Sequence, residues 1–166
     1  MAMTSWVLIL MGSDSDMPVM SEAANALDDA GVKYTITVAS AHRTPERTKQ
    51  LVADAEADGC AVFIAGAGMA AHLPGVIAAY TTRPVIGVPL ASGAMQGTDA
   101  LHAIVQMPPG IPVATVAIGG ARNAGILAAQ MIATGDAALA ARLKEKRASM
   151  AESVAEKANK VTRSTR

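Results

Sequence analysis

Short apolar runs alternate with helical segments along the chain, and this alternation restricts the folds that the sequence can adopt. The first run, residues 6–11 (WVLILM), is apolar at every position, as is typical of a strand buried on both faces of a parallel sheet. Further strands are predicted at residues 33–39, 61–65, 84–88 and 113–117. Helices are predicted at residues 18–30, 45–58, 70–80, 99–106, 121–134 and 136–159. This succession predicts an α/β fold, a three-layer α/β/α sandwich around a doubly wound parallel sheet.

Proline and glycine mark the ends of the first two helices. Pro18 opens the first helix and Gly31 ends it, while Thr44 is the predicted N-cap of the second, with Pro45 at its first helical position. Gly59 ends the second helix. The connections are therefore short, and a flavodoxin-like strand order is the first choice for such a sheet.

Composition favours a globular protein and excludes several kinds of partner. The 166 residues suit a single α/β domain spanning 1–166, with its core at about 6–134. The net charge is zero and there are only four aromatic residues, which gives no basis for nucleic-acid binding. The most apolar stretch, residues 60–80, is broken by three glycines and a proline, which disfavours a membrane span. Because residues 1–5 carry no basic leader, a cytoplasmic location is predicted.

Charge is distributed unevenly along the chain. Residues 136–166 hold eight of the fourteen Lys and Arg residues but only four of the fourteen Asp and Glu residues. The C-terminal helix at about 136–159 is thus basic, and the rest of the chain is mildly acidic. Hydrophobic residues make up 51% of the sequence, more than a monomer of this size is expected to hide. We therefore predict a homo-oligomer in which this helix packs on a neighbouring subunit.

Candidate functional residues follow the predicted strands, because ligands of doubly wound sheets bind beyond the carboxyl ends of the strands. After the first strand, Ser13 and Ser15 offer hydroxyls near a helix start, which suits a phosphate or a sugar. Asp14 and Asp16 in the same loop suit a ribose diol better than a phosphate. The alternative interpretation is that one of these four side chains only caps the helix and binds no ligand.

The loop after the second strand carries the most specific chemistry. His42 carries an imidazole, the side chain most often used for acid–base catalysis, and the neighbouring Arg43 is a fixed cation whose shape suits a phosphate. Together with Ser40 and Thr44, they predict general acid–base catalysis on a phosphorylated substrate.

The loop after the third strand, residues 66–75 (GAGMAAHLPG), is built from small residues around His72. Small residues such as Gly68 let a flat ligand or another subunit approach the backbone closely. Catalysis, substrate contact and a structural hydrogen bond are all open for His72.

The remaining candidates are weaker. His102 falls within a predicted helix, where a structural role is expected, and Cys60 begins a strand, where a buried, unreactive thiol is expected. Nothing in the spacing of His, Cys, Asp and Glu indicates a metal site. The sequence lacks a Walker A motif and a GxGxxG motif, so ATP or NAD has little support as a cofactor.

Five sequence blocks resemble those of the N5-carboxyaminoimidazole ribonucleotide mutase family of purine biosynthesis (class I PurE). The blocks are MGSDSD (11–16), SAHRTP (40–45), GAGMAAHLPG (66–75), VQMPPGIPVATVAI (105–118) and NAGILAAQM (123–131). The resemblance implies an α/β/α fold assembled as a homo-octamer, without metal or organic cofactor. The reaction it implies moves a carboxylate from the exocyclic nitrogen of a phosphoribosyl aminoimidazole to a ring carbon.

The same resemblance assigns roles to residues of this chain. It implies that His42 is the acid–base catalyst, that Arg43 binds the substrate phosphate, and that Ser13 and Asp16 bind the phosphoribosyl group. The other substrate-binding residues in these motifs are Ser15, Ser40, Gly68 and His72. Met69 departs from the family pattern, in which glycine is expected at that position.

Three alternatives stay open at this stage. The first is the class II carboxylase, which adds free CO2 to aminoimidazole ribonucleotide. Its members usually have lysine in place of Arg43 and lack the AAHLPG segment, so Arg43 and His72 favour the mutase. The second is a non-catalytic nucleotide-binding or receiver-like module. A receiver should have an acidic residue after the third strand and a lysine after the fifth, where this chain has Gly66 and Gly119. The third is a structural assembly protein.

Overall fold

Strands and helices alternate along the chain in the computed structural model, which describes residues 5–163. The strands β1 to β5 span Trp6–Met11, Lys33–Val38, Cys60–Gly68, Val85–Leu90 and Ala114–Thr115. The helices α1 to α6 span Met17–Ala30, Pro45–Ala57, Leu73–Ala78, Thr98–Val105, Ala121–Ala133 and Ala137–Val161. A short 3-10 helix at Asp14–Asp16, which the sequence pattern does not predict, precedes α1.

The five strands form one parallel sheet in the order β2-β1-β3-β4-β5. This order confirms the flavodoxin-like, doubly wound topology. The chain moves from β1 outward to β2 and then returns to place β3 on the other side of β1, so the crevice of the sheet lies between β1 and β3. Strands β1, β3 and β4 are buried along nearly their whole length, and for this reason their sequences are continuously apolar.

Hydrophobic clusters cover both faces of the sheet, and alternate residues of β1 contribute to each. The cluster under α1, α5 and the start of α6 includes Val7, Ile9, Leu27, Ala128 and Leu139. The cluster under α2, α3 and α4 includes Leu8, Leu10, Val52, Ile77 and Ile104.

Strands β3 and β4 are longer than predicted. Gly66 and Gly68 belong to β3, and Pro89 and Leu90 belong to β4, whereas the sequence pattern places all four in loops. Glycine is required in β3 by its neighbours, because a Cβ on Gly66 would collide with the Met20 side chain. The glycines therefore mark close approach of side chains within the sheet and not the end of the strand.

Helix α3 and strand β5 are shorter than predicted. Helix α3 begins at Leu73 because Met69 and Ala71 have φ angles of 55° and 43°, which no right-handed helix contains. Strand β5 pairs with β4 through Ala114 and Thr115 alone, in place of the five residues predicted.

Helix α6 is anchored at its start and exposed along the rest of its length. Asp136 caps the helix by accepting a hydrogen bond from the Leu139 N–H at 2.9 Å, and Leu139 is buried. The Arg142 guanidinium donates to the Ala30 carbonyl oxygen from Nε and Nη2. From residue 144 to residue 163 every side chain is exposed. Within residues 5–163, no helix combines the length and apolarity needed to cross a membrane.

Candidate active site

A cavity of about 420 Å³ lies at the carboxyl ends of β1, β2, β3 and β4. Its wall contains every predicted site residue: Ser13, Ser15, Asp16, Ser40, His42, Arg43, Gly68 and His72. These residues come from three loops separated in sequence, and the strand order brings the loops together at the crevice of the sheet.

The first loop is organised by mutual capping of Ser13 and Asp16. The Ser13 N–H donates to Asp16 Oδ2 at 3.1 Å, and the Ser15 N–H and hydroxyl both donate to Ser13 Oγ, at 3.3 and 2.9 Å. Burial is the main cause that raises the pKa of Asp16 above its ordinary value, and the Asp14 carboxylate adds to the shift. Ser13 and Asp16 thus cap the short 3-10 helix and not α1, which has no side-chain cap, and both side chains also line the cavity.

The second loop is tied to the first by Arg43. The buried Ser40 Oγ accepts hydrogen bonds from the Arg43 N–H at 3.2 Å and from Arg43 Nε at 3.5 Å. Arg43 Nη2 donates to the Gly12 carbonyl oxygen at 3.0 Å. Within residues 5–163 the guanidinium forms no salt bridge with a carboxylate. Its positive charge is therefore fixed in position and available to bind an anion.

Thr44 is the N-cap residue of α2, as predicted, but its side chain makes no capping hydrogen bond. No N–H of α2 donates to this side chain. The hydroxyl instead accepts from the Ser40 N–H at 2.9 Å and donates to the Ser40 carbonyl oxygen at 3.1 Å. Thr44 thus closes the turn that presents His42 and Arg43 to the cavity.

His42 and His72 form a direct contact across the cavity. His42 Nε2 lies 2.7 Å from His72 Nδ1, and the two rings meet edge to face, with centroids 4.8 Å apart. At this distance one nitrogen donates and the other accepts, so a single proton lies between the rings. Of the roles left open for His72, the structure shows a side-chain hydrogen bond to the predicted catalyst.

The third loop has a backbone that side chains rarely adopt. The Ala71 N–H donates to the Gly68 carbonyl oxygen at 3.0 Å, which closes a turn containing Met69. Met69 and Ala71 both have positive φ, and the Met69 side chain is 60% exposed. A positive φ strains Met69 and Ala71, because only glycine adopts such a φ without strain.

We expect Met69→Gly to stabilise the protein slightly. Relief of the left-handed backbone is worth about 1–2 kcal/mol, and the added freedom of the unfolded chain costs about 0.5–1 kcal/mol. The free energy of unfolding should therefore rise by about 0.5 kcal/mol, measured by urea denaturation. Met95→Gly is the matched control, because Met95 is 57% exposed in a loop but lacks positive φ. That variant should lose stability, and equal effects of the two substitutions would contradict the assignment of strain to Met69.

Three further residues with polar or reactive side chains lie away from the cavity: Arg122, His102 and Cys60. Arg122 projects from α5 and pairs with Asp29 at 2.8 Å and Glu22 at 3.7 Å, so it joins α5 to α1. His102 lies on α4 as predicted, but it is exposed. Burial raises the pKa of the Cys60 thiol to about 11, which agrees with an unreactive cysteine.

Ser92 lines the cavity but is missing from the sequence-based set of candidates. It follows β4 at the same edge of the sheet as the other site residues, and this position is the only signal that could have indicated it. Among residues 5–163, no group of three His, Cys, Asp or Glu side chains is placed to hold a metal ion.

Known proteins with similar sequences identify the family. The family described as "AIRC: AIR carboxylase" matches residues 6–153. The chain belongs to the AIR carboxylase family. The prediction of family from the five sequence blocks is confirmed.

Members of the AIR carboxylase family similar to this chain carry two kinds of name. The N5-carboxyaminoimidazole ribonucleotide mutase of Thermotoga maritima is 52% identical over 153 residues, which cover 92% of this chain and 90% of that protein. The phosphoribosylaminoimidazole carboxylase of Schizosaccharomyces pombe is also 52% identical over 153 residues, but these cover only 28% of that longer protein. A mutase is the enzyme class that the sequence motifs predict.

The family fold is also seen in solved structures. The crystal structure of Treponema denticola PurE matches with a TM-score of 0.88 at 32% sequence identity, over 96% of this chain and 99% of that chain. The α/β fold and its flavodoxin-like sheet are thus shared with a PurE protein over nearly the whole chain.

Proposed function

We propose that this protein is a mutase of purine biosynthesis that converts N5-carboxyaminoimidazole ribonucleotide to 4-carboxy-5-aminoimidazole ribonucleotide. The observation that carries the proposal is the cavity in which a histidine pair and a fixed guanidinium face the same space. The names of relatives that are 52–54% identical over more than nine-tenths of this chain support the same activity.

The phosphoribosyl end of the substrate fits the side of the cavity built by the first two loops. Arg43 supplies a charge without a carboxylate partner, and the Ser13 and Ser15 hydroxyls lie beside it in the wall. A carboxylate such as Asp16 accepts hydrogen bonds from a ribose diol; burial raises its pKa, and the nearby Arg43 charge opposes that rise. This arrangement orients the aminoimidazole toward the histidines.

The proposed reaction uses two proton transfers at His42, one to the substrate and one back from it. His42 gives its proton to the carbamate nitrogen while the N–C bond breaks and its electron pair passes to nitrogen, which releases CO2. Ring carbon 4 then attacks CO2 and forms the new C–C bond, and His42 removes the proton from that carbon. The histidine pair therefore begins and ends in the same protonation state, so the reaction needs no other acid or base.

The pair geometry supports His42 as the group that exchanges the proton. His72, when neutral, accepts at Nδ1 and stabilises the protonated form of His42. The same contact fixes the orientation of the His42 ring, which otherwise projects from an exposed loop. His72 is thus proposed as a positioning residue for the proton transfer.

The wall near the histidines suits a neutral, weakly bound intermediate. Ala67, Gly68, Ala70 and Ala71 present small apolar surfaces there. A pocket that excludes water keeps CO2 from being hydrated or lost before ring carbon 4 attacks it. This is the physical reason for a loop of glycine and alanine beside an acid–base group.

The deciding experiment compares two substrates with and without bicarbonate. We expect conversion of N5-carboxyaminoimidazole ribonucleotide at a rate that does not depend on bicarbonate, and negligible carboxylation of aminoimidazole ribonucleotide at low bicarbonate. Product formation is followed by its ultraviolet absorbance. The class II carboxylase would show the reverse pattern, with a rate proportional to dissolved CO2. The observation that favours this second candidate function, direct carboxylation, is the carboxylase name of the Schizosaccharomyces pombe relative.

We further propose that the chain is a single α/β domain that works as a homo-oligomer, an octamer by family resemblance. Large apolar side chains are exposed at the β5 edge and along α6, including Val105, Ile111, Ile118, Met150 and Val154. Contact with other subunits would remove this surface from water, which at about 25 cal/mol per Å² favours association.

A further inference from the structure

Among the polar side chains of the cavity wall, Ser92 is the one whose hydroxyl has no hydrogen-bond partner within residues 5–163. The other polar side chains of the wall all have one: Ser13, Ser15, Asp16, Ser40, His42, Arg43 and His72. Within the described residues, no buried side-chain nitrogen or oxygen lacks a partner. The Ser92 oxygen is therefore not sealed in the protein interior but open to the cavity.

The position of Ser92 is fixed by the register of β3 and β4. Gly68 pairs with Leu90 in that register, and Ser92 follows Leu90 by two residues. A Cβ on Gly68 would collide with the Ser92 hydroxyl and would lie 3.3 Å from the Leu90 carbonyl oxygen. The hydroxyl thus occupies space that is available only because residue 68 is glycine.

Ser92 lies at the end of the cavity opposite the proposed phosphate site. Arg43 follows β2, Gly68 ends β3 and Ser92 follows β4, in a sheet ordered β2-β1-β3-β4-β5. The Arg43 guanidinium reaches the Gly12 carbonyl oxygen after β1, and the Ser92 hydroxyl lies against Gly68 at the end of β3, so the two groups face the cavity from the two sides of the crevice between β1 and β3. A nucleotide held by Arg43 at its phosphate directs its imidazole past the histidine pair toward Ser92.

We propose that the Ser92 hydroxyl donates a hydrogen bond to the carboxyl group that the enzyme transfers, an inference that rests on the proposed function. The group is an anion in the substrate and in the product but is neutral CO2 between them. A fixed cation would stabilise the anionic ground state and so raise the barrier to releasing CO2. A neutral hydroxyl favours the anionic states much less than a cation would, and its contribution is to hold CO2 in place between the nitrogen it leaves and the carbon it joins.

The test is Ser92→Ala, assayed with substrate carrying ¹³C in the transferred carboxyl group. Two quantities are measured: kcat and KM, and the fraction of substrate that ends as decarboxylated aminoimidazole ribonucleotide, corrected for spontaneous decay. We expect kcat to fall about 10-fold, as loss of one ordinary hydrogen bond implies, with KM changed by less than about 3-fold. The decarboxylated fraction should rise several-fold, because unheld CO2 escapes more often.

Ser21→Ala is the matched control, because the Ser21 hydroxyl donates to the Pro18 carbonyl oxygen on α1, away from the cavity. It should leave both quantities unchanged. The thermal midpoint of Ser92→Ala should equal that of the unsubstituted chain, since the hydroxyl has no protein partner.

Three results would overturn the inference. The first is an unchanged kcat and decarboxylated fraction in Ser92→Ala, and the second is a rise in KM alone. The third is a lower thermal midpoint, which would show that the hydroxyl supports the fold. The proposed function fails separately, and takes the inference with it, when the unsubstituted chain does not convert the carbamate at all.

Discussion

Replacement of His42 by asparagine should lower kcat about 1,000-fold while the nucleotide still binds within a few-fold of its normal affinity. General acid–base catalysis contributes about 10²- to 10⁴-fold to a rate, and asparagine neither gives nor takes a proton near neutral pH. The asparagine amide is close to the imidazole in size, so Arg43 and Ser40, whose contacts do not involve the imidazole, keep their geometry. Steady-state kinetics give kcat, and calorimetric titration with aminoimidazole ribonucleotide gives the affinity.

The control for His42→Asn is the same substitution at His102, which is exposed on α4 and does not line the cavity. That variant should keep full activity. Near-normal turnover by His42→Asn would show that another group exchanges the proton, and His72 would be the first to examine because it lies 2.7 Å away. A joint loss of turnover and nucleotide binding would instead point to a distorted loop.

Much of the fold was predictable because its central strands are buried on both faces. Such strands read as continuous apolar runs, and residues 6–11 were placed without error. The ends of β3 and α3 were not predictable in the same way. Glycines at 66 and 68 are typical of a loop in sequence, but in the folded chain they admit the side chains of Met20 and Ser92. Only tertiary packing distinguishes these two meanings of glycine.

The grouping of the candidate residues was predictable from topology, and their pairwise contacts were not. Loops that follow neighbouring parallel strands must meet at one edge, so the eight predicted residues share one cavity. His72, which contacts His42, follows a left-handed turn at Met69 and Ala71. The residue types in that segment do not predict this turn. The role of Arg122 was open from the sequence, and its partners Glu22 and Asp29 on α1 place it outside the cavity.

Arg43→Gln should raise KM for the nucleotide about 100-fold and change kcat much less. A hydrogen bond to a charged group is worth about 1.5–3 kcal/mol, and loss of about 2.7 kcal/mol corresponds to 100-fold in binding. The phosphate does not take part in bond making, so most of the loss is expected in binding. Inorganic phosphate should inhibit the unsubstituted chain competitively and should inhibit the variant far less. The salt dependence of KM should also weaken, because the charge that attracts the phosphate is gone.

Two further arginines make this prediction specific. Arg47→Gln is the matched control, since its guanidinium donates to the Val38 carbonyl oxygen and Thr37 Oγ1 outside the cavity and should not affect KM. Arg142 lines a second cavity, of about 510 Å³, at the amino ends of the strands. Its Nε and Nη2 donate to the Ala30 carbonyl oxygen at that edge of the sheet, whereas Arg43 lines the cavity that holds the histidine pair. A large rise in KM for Arg142→Gln with none for Arg43→Gln would move the phosphate to the opposite edge of the sheet, too far from His42 for the proposed chemistry.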